Sequence, residues 1–149
     1  MKIVIQRVMK CEVEINNAIH SSINYGLLIL LGISDTDSEM DAHTLCKKIN
    51  DLRIFDDENH KMNLSQAEVN AELMVVSQFT LYADTHKGNR PSYIKAAKPE
   101  KANPLYEYFV QHLSTVTGKT VATGIFGADM QIHLVNDGPV TIILESVSA

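Results

Sequence analysis

Hydrophobic and polar residues alternate over most of the first fifteen positions of the chain. The alternation covers Met1 to Val8 and then Cys11 to Ile15, and a period of two residues predicts half-buried β-strands. A turn region from Asn16 to Asn24 leads into the apolar run from Leu27 to Gly32, whose length suits a buried strand. The chain therefore opens with three predicted strands.

The spacing of apolar residues becomes helical after residue 38. Ser38 followed by Asp41 resembles a capping box, in which these two side chains would bond to free N–H groups at the start of a helix. Apolar residues then recur every three or four positions, at Ala42, Leu45, Cys46, Ile49 and Leu52. This pattern predicts an amphipathic helix.

The second half of the chain predicts one more buried strand, a second helix and three closing strands. The strand is Leu73 to Leu81, and a loop follows to about Lys98. Asn103 as cap, with Pro104 at the first helical position, begins a helix that stops at Gly118. The closing strands are predicted at Thr120 to Ile125, Met130 to Val135 and Val140 to Val147.

The last two predicted strands are separated by Asn136-Asp137-Gly138-Pro139. Asp-Gly favours a tight hairpin, although a proline directly after it is unusual. The order of elements is β-β-β-α-β-α-β-β-β. It predicts an α+β fold with one domain over residues 1–149, in which a curved or barrel-like sheet is backed by two helices.

Composition places the chain among globular proteins, with 149 residues, 45% hydrophobic and 21% charged. No run approaches the roughly 18 apolar residues of a membrane span, and no signal-peptide core is visible near the start. Cys11 and Cys46 show no Cys-x-x-Cys spacing, which is typical of a reducing compartment. We expect a cytoplasmic protein whose two thiols are buried and structural.

The charge pattern has one local exception. A net charge of −5 argues against a protein that coats long nucleic acid. Residues 87–101, here called the basic segment, contain one acidic residue, Glu100, and five basic residues, Lys87, Arg90, Lys95, Lys98 and Lys101. The sequence leaves two interpretations open, a docking place for an anion and a solvated loop.

Several kinds of chemistry lack their sequence patterns. The six histidines show neither His-x-x-x-His nor His-Glu-x-x-His spacing, and no glycine-rich phosphate loop occurs, so neither a metal nor a cofactor is expected. The Gly-x-Ser-x-Gly motif of many serine hydrolases is also missing. Ser77, His86 and Asp84 could be forced into a triad, but a serine that ends a buried strand and a solvated loop histidine explain these residues better.

Three polar residues, Ser77, Gln78 and Thr80, interrupt the apolar run from Val75 to Tyr82. Buried polar groups need hydrogen-bond partners, and apolar clefts need a few polar groups to orient a ligand. The interruption therefore indicates either a partner strand or a ligand cavity, and the residues alone leave both open.

Taken in order, the motifs of this chain resemble those of the D-aminoacyl-tRNA deacylases, formerly called D-tyrosyl-tRNA deacylases. The two signatures are Ser77-Gln78-Phe79-Thr80-Leu81 and Asn136-Asp137-Gly138-Pro139-Val140-Thr141. Shorter matching segments extend the likeness from end to end, at Gln6-Arg7-Val8, Gly26-Leu27-Leu28, Arg53-Ile54-Phe55, Lys61-Met62-Asn63-Leu64 and Arg90-Pro91-Ser92. Tyr82 and Tyr93 depart from the smaller or unhydroxylated side chains expected beside these motifs.

The resemblance implies a homodimer in which a tip carrying Gly138-Pro139, with a cis peptide bond, enters the partner's pocket, and Arg7 holds that tip. Rigid carbonyl oxygens beside the substrate's α-carbon would clash with an L side chain and leave the D direction open. Glycine has no side chain to reject. Glycyl-tRNA mischarged on tRNA-Ala is therefore an expected second substrate.

The resemblance also implies that only the 3′ end of aminoacyl-tRNA enters the site, and that free D-amino acid and tRNA are released. Water assisted by the tRNA 2′-hydroxyl would attack the ester, while backbone N–H groups near Phe79 and Thr80 stabilise the oxyanion. Ser77 and Gln78 would bind the terminal adenosine or the amino group, and Thr80 would orient rather than attack. Ala102 and Phe126 would wall the adenine side.

Three alternatives stay open. The nearest is a related deacylase that removes L-alanine from mischarged tRNA through a trans Gly-Pro. A binding module for RNA ends without catalytic activity is the second. A conventional serine or threonine esterase that acts on small molecules and forms an acyl-enzyme, for example on Thr80, is the third.

Overall fold

The longest pairing in the sheet joins the first strand to the last. The computed structural model describes residues 1–146, and in it β1 (Lys2–Ile15) pairs antiparallel with β8 (Gln131–Glu145) along most of its length. On its other edge β1 pairs antiparallel with β3 (Gly26–Gly32) through its first half and with β2 (Ala18–Ile23) through its second half. The two predicted opening strands are thus one bent strand.

A tight hairpin joins β1 to β2. Asn16 and Asn17 both have positive φ, 52° and 61°, as the two central residues of a type I′ turn require. Asparagine is one of the few residues apart from glycine that adopts this conformation at low cost. The region predicted as a turn from Asn16 to Asn24 therefore contains an additional strand.

The centre of the molecule is a parallel unit. The strands β3, β6 (Glu72–Ser77) and β7 (Val121–Thr123) run in parallel, and parallel neighbours need crossover connections. The helices α1 (Glu39–Asp51) and α2 (Pro99–Thr117) lie in those two connections. A small antiparallel hairpin, β4 (Phe55–Asp56) with β5 (Met62–Leu64), follows α1, within a stretch for which the sequence predicted no element.

Two hydrophobic cores result from the alternation of side chains across the strands. Ile29 of β3 packs towards the helices, where Phe109 of α2 is fully buried. Its neighbour Leu28 faces the other side, against Val8 and Met74 inside the curved sheet. The Ser21 Oγ donates to Thr123 O at 2.6 Å, linking β2 to β7. The sheet is therefore a nearly closed barrel, and the predicted barrel-like domain with two helices is confirmed.

Two predicted boundaries need correction. Helix α2 begins at Pro99, with Lys98 as its cap, rather than at Asn103 and Pro104. Pro99 itself occupies the favourable first position, so Pro104 lies inside the helix. The strand predicted to reach Leu81 ends at Ser77, and a 3-10 turn (Phe79–Tyr82) follows.

The predicted hairpin at Asp137-Gly138 is wrong. Residues on both sides of this dipeptide pair with β1, because Thr141 lies opposite Gln6 and Asn136 lies opposite Val8. Four residues of β8, from 137 to 140, thus face the single residue Arg7. Such an insertion is a bulge within one strand. The strand predicted to end at Val147 extends to Glu145, and Val147 lies outside the described residues.

Two smaller expectations can be compared with the structure. Cys11 and Cys46 are both fully buried, as predicted for structural thiols. Burial raises the pKa of Cys11 to about 11 and that of Cys46 to about 12. Within residues 1–146, no helix combines the length and the apolar character needed to cross a bilayer.

Candidate functional site

A cavity of about 600 Å³ opens at the carboxyl ends of the parallel strands β3 and β6. Its floor includes Leu31 and Val76, which are buried. Its walls come from the start of α2 and from residues 126–130, between β7 and β8. Ligand sites favour this end of parallel strands, because the chain leaves the sheet there and side chains from separate loops converge.

The local fold at the edge of the cavity leaves two backbone donors free. Gln78 N donates to Leu31 O at 2.7 Å, which ties the end of β6 to β3. The chain then leaves the strand and enters the 3-10 turn, and the first N–H groups of a helical turn have no acceptor within it. In residues 1–146, neither Phe79 N nor Thr80 N donates to another protein group. Two adjacent N–H groups are thus available to a ligand.

The four residues predicted as catalytic lie together, but not all of them border the cavity. Ser77, Gln78 and Phe79 line it, while Thr80, the next residue, is not part of the lining. The Gln78 side-chain amide donates to Thr80 Oγ1 at 2.5 Å. This bond fixes the hydroxyl relative to the cavity. The orientation of Gln78 is fixed by the same contact.

No serine triad forms around Ser77. His86 and Asp84 do not line the cavity, and their contact is a hydrogen bond from the backbone N–H of His86 to the Asp84 carboxylate at 3.0 Å. Among the described residues, no histidine or carboxylate bonds to the hydroxyl of Ser77 or Thr80. Within residues 1–146, neither hydroxyl is thus hydrogen-bonded to a side-chain base that would activate it as a nucleophile.

The residues predicted to wall the adenine side both line the cavity. Ala102 lies in the first turns of α2 and is 6% exposed, and Phe126 also lines the cavity. Tyr106 supports Phe126 with ring centroids 5.9 Å apart and donates its hydroxyl to Val75 O at 2.8 Å. Burial raises the pKa of Tyr106 to about 12, so this hydroxyl stays a donor at neutral pH. The wall is apolar and firmly supported.

Sequence reasoning missed part of the lining. Tyr93, Lys98, Asp129 and Met130 also border the cavity. Tyr93 packs edge-to-face on Phe79, with ring centroids 5.0 Å apart. Two clues lay in the sequence, since Tyr93 directly follows Arg90-Pro91-Ser92 and Lys98 belongs to the basic segment. No sequence pattern singled out Asp129, whose carboxylate gives the cavity one negative charge.

Gly138 and Pro139 lie away from the cavity of their own chain, and so does Arg7. Arg7 pairs with Leu27 of β3, whereas the cavity residue Leu31 lies four residues further along that strand. This separation corresponds to about 13 Å. The structure therefore divides the predicted substrate-binding residues into two places on one subunit.

Arg7 holds the bulge from inside. Its side chain is 3% exposed, and its Nη1 donates to Ile54 O at 2.8 Å. Its guanidinium also meets the Asp56 carboxylate at 3.3 Å. Its Nε lies 2.9 Å from Asp137 Oδ2, in an ion pair whose geometry does not complete a hydrogen bond. One buried cation thus joins three segments around residues 137–140.

Gly138 is required by the shape of the bulge. Its φ is +115°, a conformation that side chains rarely adopt. A Cβ atom there would lie 2.8 Å from Val140 Cγ2 and 3.3 Å from Arg7 Nη2. The Gly138-Pro139 peptide bond is cis, as predicted. Both residues are exposed, so the bulge presents them to the surroundings.

Comparisons with known proteins agree with this geometry. The family model described as D-Tyr-tRNA(Tyr) deacylase matches residues 4–145. The chain is 60% identical over 146 residues to D-aminoacyl-tRNA deacylase of Flavobacterium psychrophilum, covering 98% of this chain and 97% of the relative. Identity to the enzyme of the same name from Porphyromonas gingivalis is 58% over 146 residues, with the same coverage.

Solved structures share the whole fold. One described as the c-Myc DNA unwinding element binding protein superposes with a TM-score of 0.92 at 39% identity, covering 99% of this chain and all of that chain. Another, described as a probable eukaryotic D-amino acid tRNA deacylase, gives a TM-score of 0.85 at 15% identity, covering 97% and 98%. The second likeness concerns the fold alone. Because the family model matches residues 4–145, nearly the whole of this chain, the chain belongs to the D-Tyr-tRNA(Tyr) deacylase family.

Proposed function

We propose that this protein hydrolyses the ester bond of D-aminoacyl-tRNA and releases free D-amino acid and tRNA. The observation that carries the proposal is the free backbone N–H of Phe79, which lines an apolar cavity, next to the free N–H of the following residue, Thr80. Such donors stabilise the oxyanion that develops when an ester is attacked. They need no reorganisation during the reaction, because the backbone holds them in place.

Water is the attacking group in this proposal, assisted by the 2′-hydroxyl of the terminal ribose. The protein offers no base to Ser77 or Thr80 within the described residues, and burial keeps both thiols protonated. Positioning and oxyanion stabilisation are then the contributions of the protein. Ser77 and Gln78 bind the terminal adenosine or the amino group, and Thr80 orients Gln78. Ala102 and Phe126 form the wall beside the adenine.

A second copy of the chain completes the site. Gly138 and Pro139 are exposed and do not line the cavity of their own subunit, so in this proposal they reach the cavity of a partner. The surface nearby is apolar, since Met9 is 52%, Val135 46% and Ile143 65% exposed on β1 and β8. Burying these side chains would stabilise a homodimer.

Selection of the D enantiomer follows from a rigid obstacle. The bulge is held by the buried Arg7 and admits no side chain at residue 138, so its backbone carbonyls keep their positions. An L side chain would meet them, while a D side chain would point towards solvent. Glycine escapes this filter, and glycyl-tRNA is therefore a second substrate.

The alternatives predict different reactivity. A relative specific for L-alanine would hydrolyse L-alanyl-tRNA, and a serine or threonine esterase would accumulate an acyl-enzyme. A binding module would retain the tRNA end without releasing any amino acid. Binding to a DNA unwinding element, which the name of one similar structure states for that protein, is not favoured here by a net charge of −5.

The test compares amino-acid release from D-tyrosyl-tRNA, glycyl-tRNA and L-alanyl-tRNA, together with D-tyrosyl-tRNA that ends in 2′-deoxyadenosine. We expect fast release from the first two, none from L-alanyl-tRNA, and release slowed at least about a hundredfold without the 2′-hydroxyl. Fast hydrolysis of the deoxy substrate would contradict the role given to the hydroxyl. Release from L-alanyl-tRNA alone would favour the related deacylase.

A further inference from the structure

Two exposed aromatic rings form the rim of the cavity. Phe79 is 56% and Tyr93 38% exposed, and their rings meet edge-to-face at 75° with centroids 5.0 Å apart. Both border the cavity, whose floor residues Leu31 and Val76 are at most 2% exposed. The rings thus lie where a ligand that fills the cavity would emerge.

The same rim carries positive charge, and the carboxylate of Asp129 also borders the cavity. Lys98 is exposed and borders the cavity, and no carboxylate in the part of the chain that the structure describes lies within 4.0 Å of its ammonium. Lys95 is 66% exposed and only loosely paired with Asp84, at 3.5 Å. Aromatic rings beside free cations are the combination that binds single-stranded nucleic acid, because bases stack while the cations meet phosphates.

We propose that Phe79 and Tyr93 form an aromatic platform on which the nucleobase preceding the terminal adenosine of the tRNA stacks. Lys98 then binds the phosphate that links this nucleotide to the terminal adenosine. The inference rests on the proposed function, which puts the terminal adenosine inside the cavity. The next nucleotide of a single strand must then leave through the rim. The basic segment gives this surface the charge that a polynucleotide, rather than a protein loop, requires.

The test uses a substrate that lacks the stacked base. D-tyrosyl-tRNA has a penultimate nucleotide, whereas adenosine esterified with D-tyrosine has none. In Tyr93→Leu we expect KM for the tRNA substrate to rise at least about fivefold with kcat unchanged, since stacking one base contributes about 1–3 kcal/mol. KM for the adenosine ester should stay constant. Tyr93→Phe, which keeps the ring, should behave as the wild-type protein does on both substrates.

A neighbouring residue gives the matched control. Ile94 is 83% exposed but does not border the cavity, so Ile94→Ser should change neither KM. Four results would overturn the platform while leaving the proposed function intact. They are an equal rise in KM for both substrates, no rise for either, the same effect in Ile94→Ser, and a changed oligomeric state in Tyr93→Leu. Failure of the wild-type protein to hydrolyse either substrate would overturn both proposals.

Discussion

Arg7 Nε and Asp137 Oδ2 lie 2.9 Å apart across the bulge that presents Gly138 and Pro139. The arginine is buried, whereas the aspartate side chain is 27% exposed. The same carboxylate acts on Tyr25, whose pKa is raised first by burial and then by the negative charge of Asp137. The ion pair therefore joins the bulge to an arginine that is buried against the sheet.

Replacing Arg7 should cost more stability than replacing its partner. Arg7→Met leaves Ile54 O and two carboxylates without their cation, and loss of a hydrogen bond to a charged group costs about 1.5–3 kcal/mol. Asp137→Asn keeps the shape and should cost under about 1 kcal/mol, because Asp137 is partly solvated. Urea unfolding measures both. Equal losses would show that the contact with Asp137 outweighs those with Ile54 and Asp56.

If the cavity of one subunit and the bulge of its partner form one active site, two inactive variants should restore activity when they assemble into one dimer. A Gln78→Ala subunit has a damaged cavity and an intact bulge, while a Gly138→Ala subunit has the reverse. Each homodimer should be inactive. Coexpression should restore about a quarter of wild-type activity, because half of randomly assembled dimers are mixed and contain one intact site. Restoration would be absent if the bulge served its own subunit.

Thr80→Val separates an orienting hydroxyl from a nucleophile. Valine keeps the shape and removes the acceptor of the Gln78 amide, and one such hydrogen bond contributes about 0.5–1.5 kcal/mol. The rate constant for release from D-tyrosyl-tRNA should fall by no more than roughly tenfold. Complete loss of activity, with normal folding and tRNA binding, would assign the attack to Thr80.

Added salt should lower kcat/KM for the tRNA substrate only moderately. If two or three phosphates meet the basic segment, kcat/KM for D-tyrosyl-tRNA should fall roughly tenfold between about 50 and 200 mM salt, following a slope near −0.7 per contact. The adenosine ester, which has no internucleotide phosphate, should be nearly insensitive. A steep slope on both substrates would place the charge effect elsewhere on the protein.

The sequence was informative where local pattern and final environment agree. The period of apolar residues located α1, and the strand around Leu28 was recognised because it is apolar on both faces. The polar residues Ser77 and Gln78 in the apolar run from Val75 to Tyr82 left a partner strand and a cavity open, and both residues line the cavity. Ala102 and Phe126 came from family resemblance alone, since neither stands out by its local pattern.

The local sequence pattern could not predict which strands pair with each other. Asp137-Gly138 looks like a hairpin, yet both flanks pair with β1, and only the partner strand decides that. The parallel arrangement of β3, β6 and β7 is equally invisible in single segments. Asn103 and Pro104 form a good helix start, but Pro99 offers another one earlier in the chain, and packing of Ala102 against the core extends the helix to it.

The most direct test of the central claim is the ratio of hydrolysis rates for D-tyrosyl-tRNA and L-tyrosyl-tRNA. It should be measured in the wild-type protein, in Gly138→Ala, and in Gly118→Ala as a matched control, because Gly118 also has positive φ but has space for a Cβ. We expect the wild-type protein and Gly118→Ala to hydrolyse only the D ester, and Gly138→Ala to lose that activity. Equal hydrolysis of both esters by the wild-type protein would contradict selection by a rigid bulge.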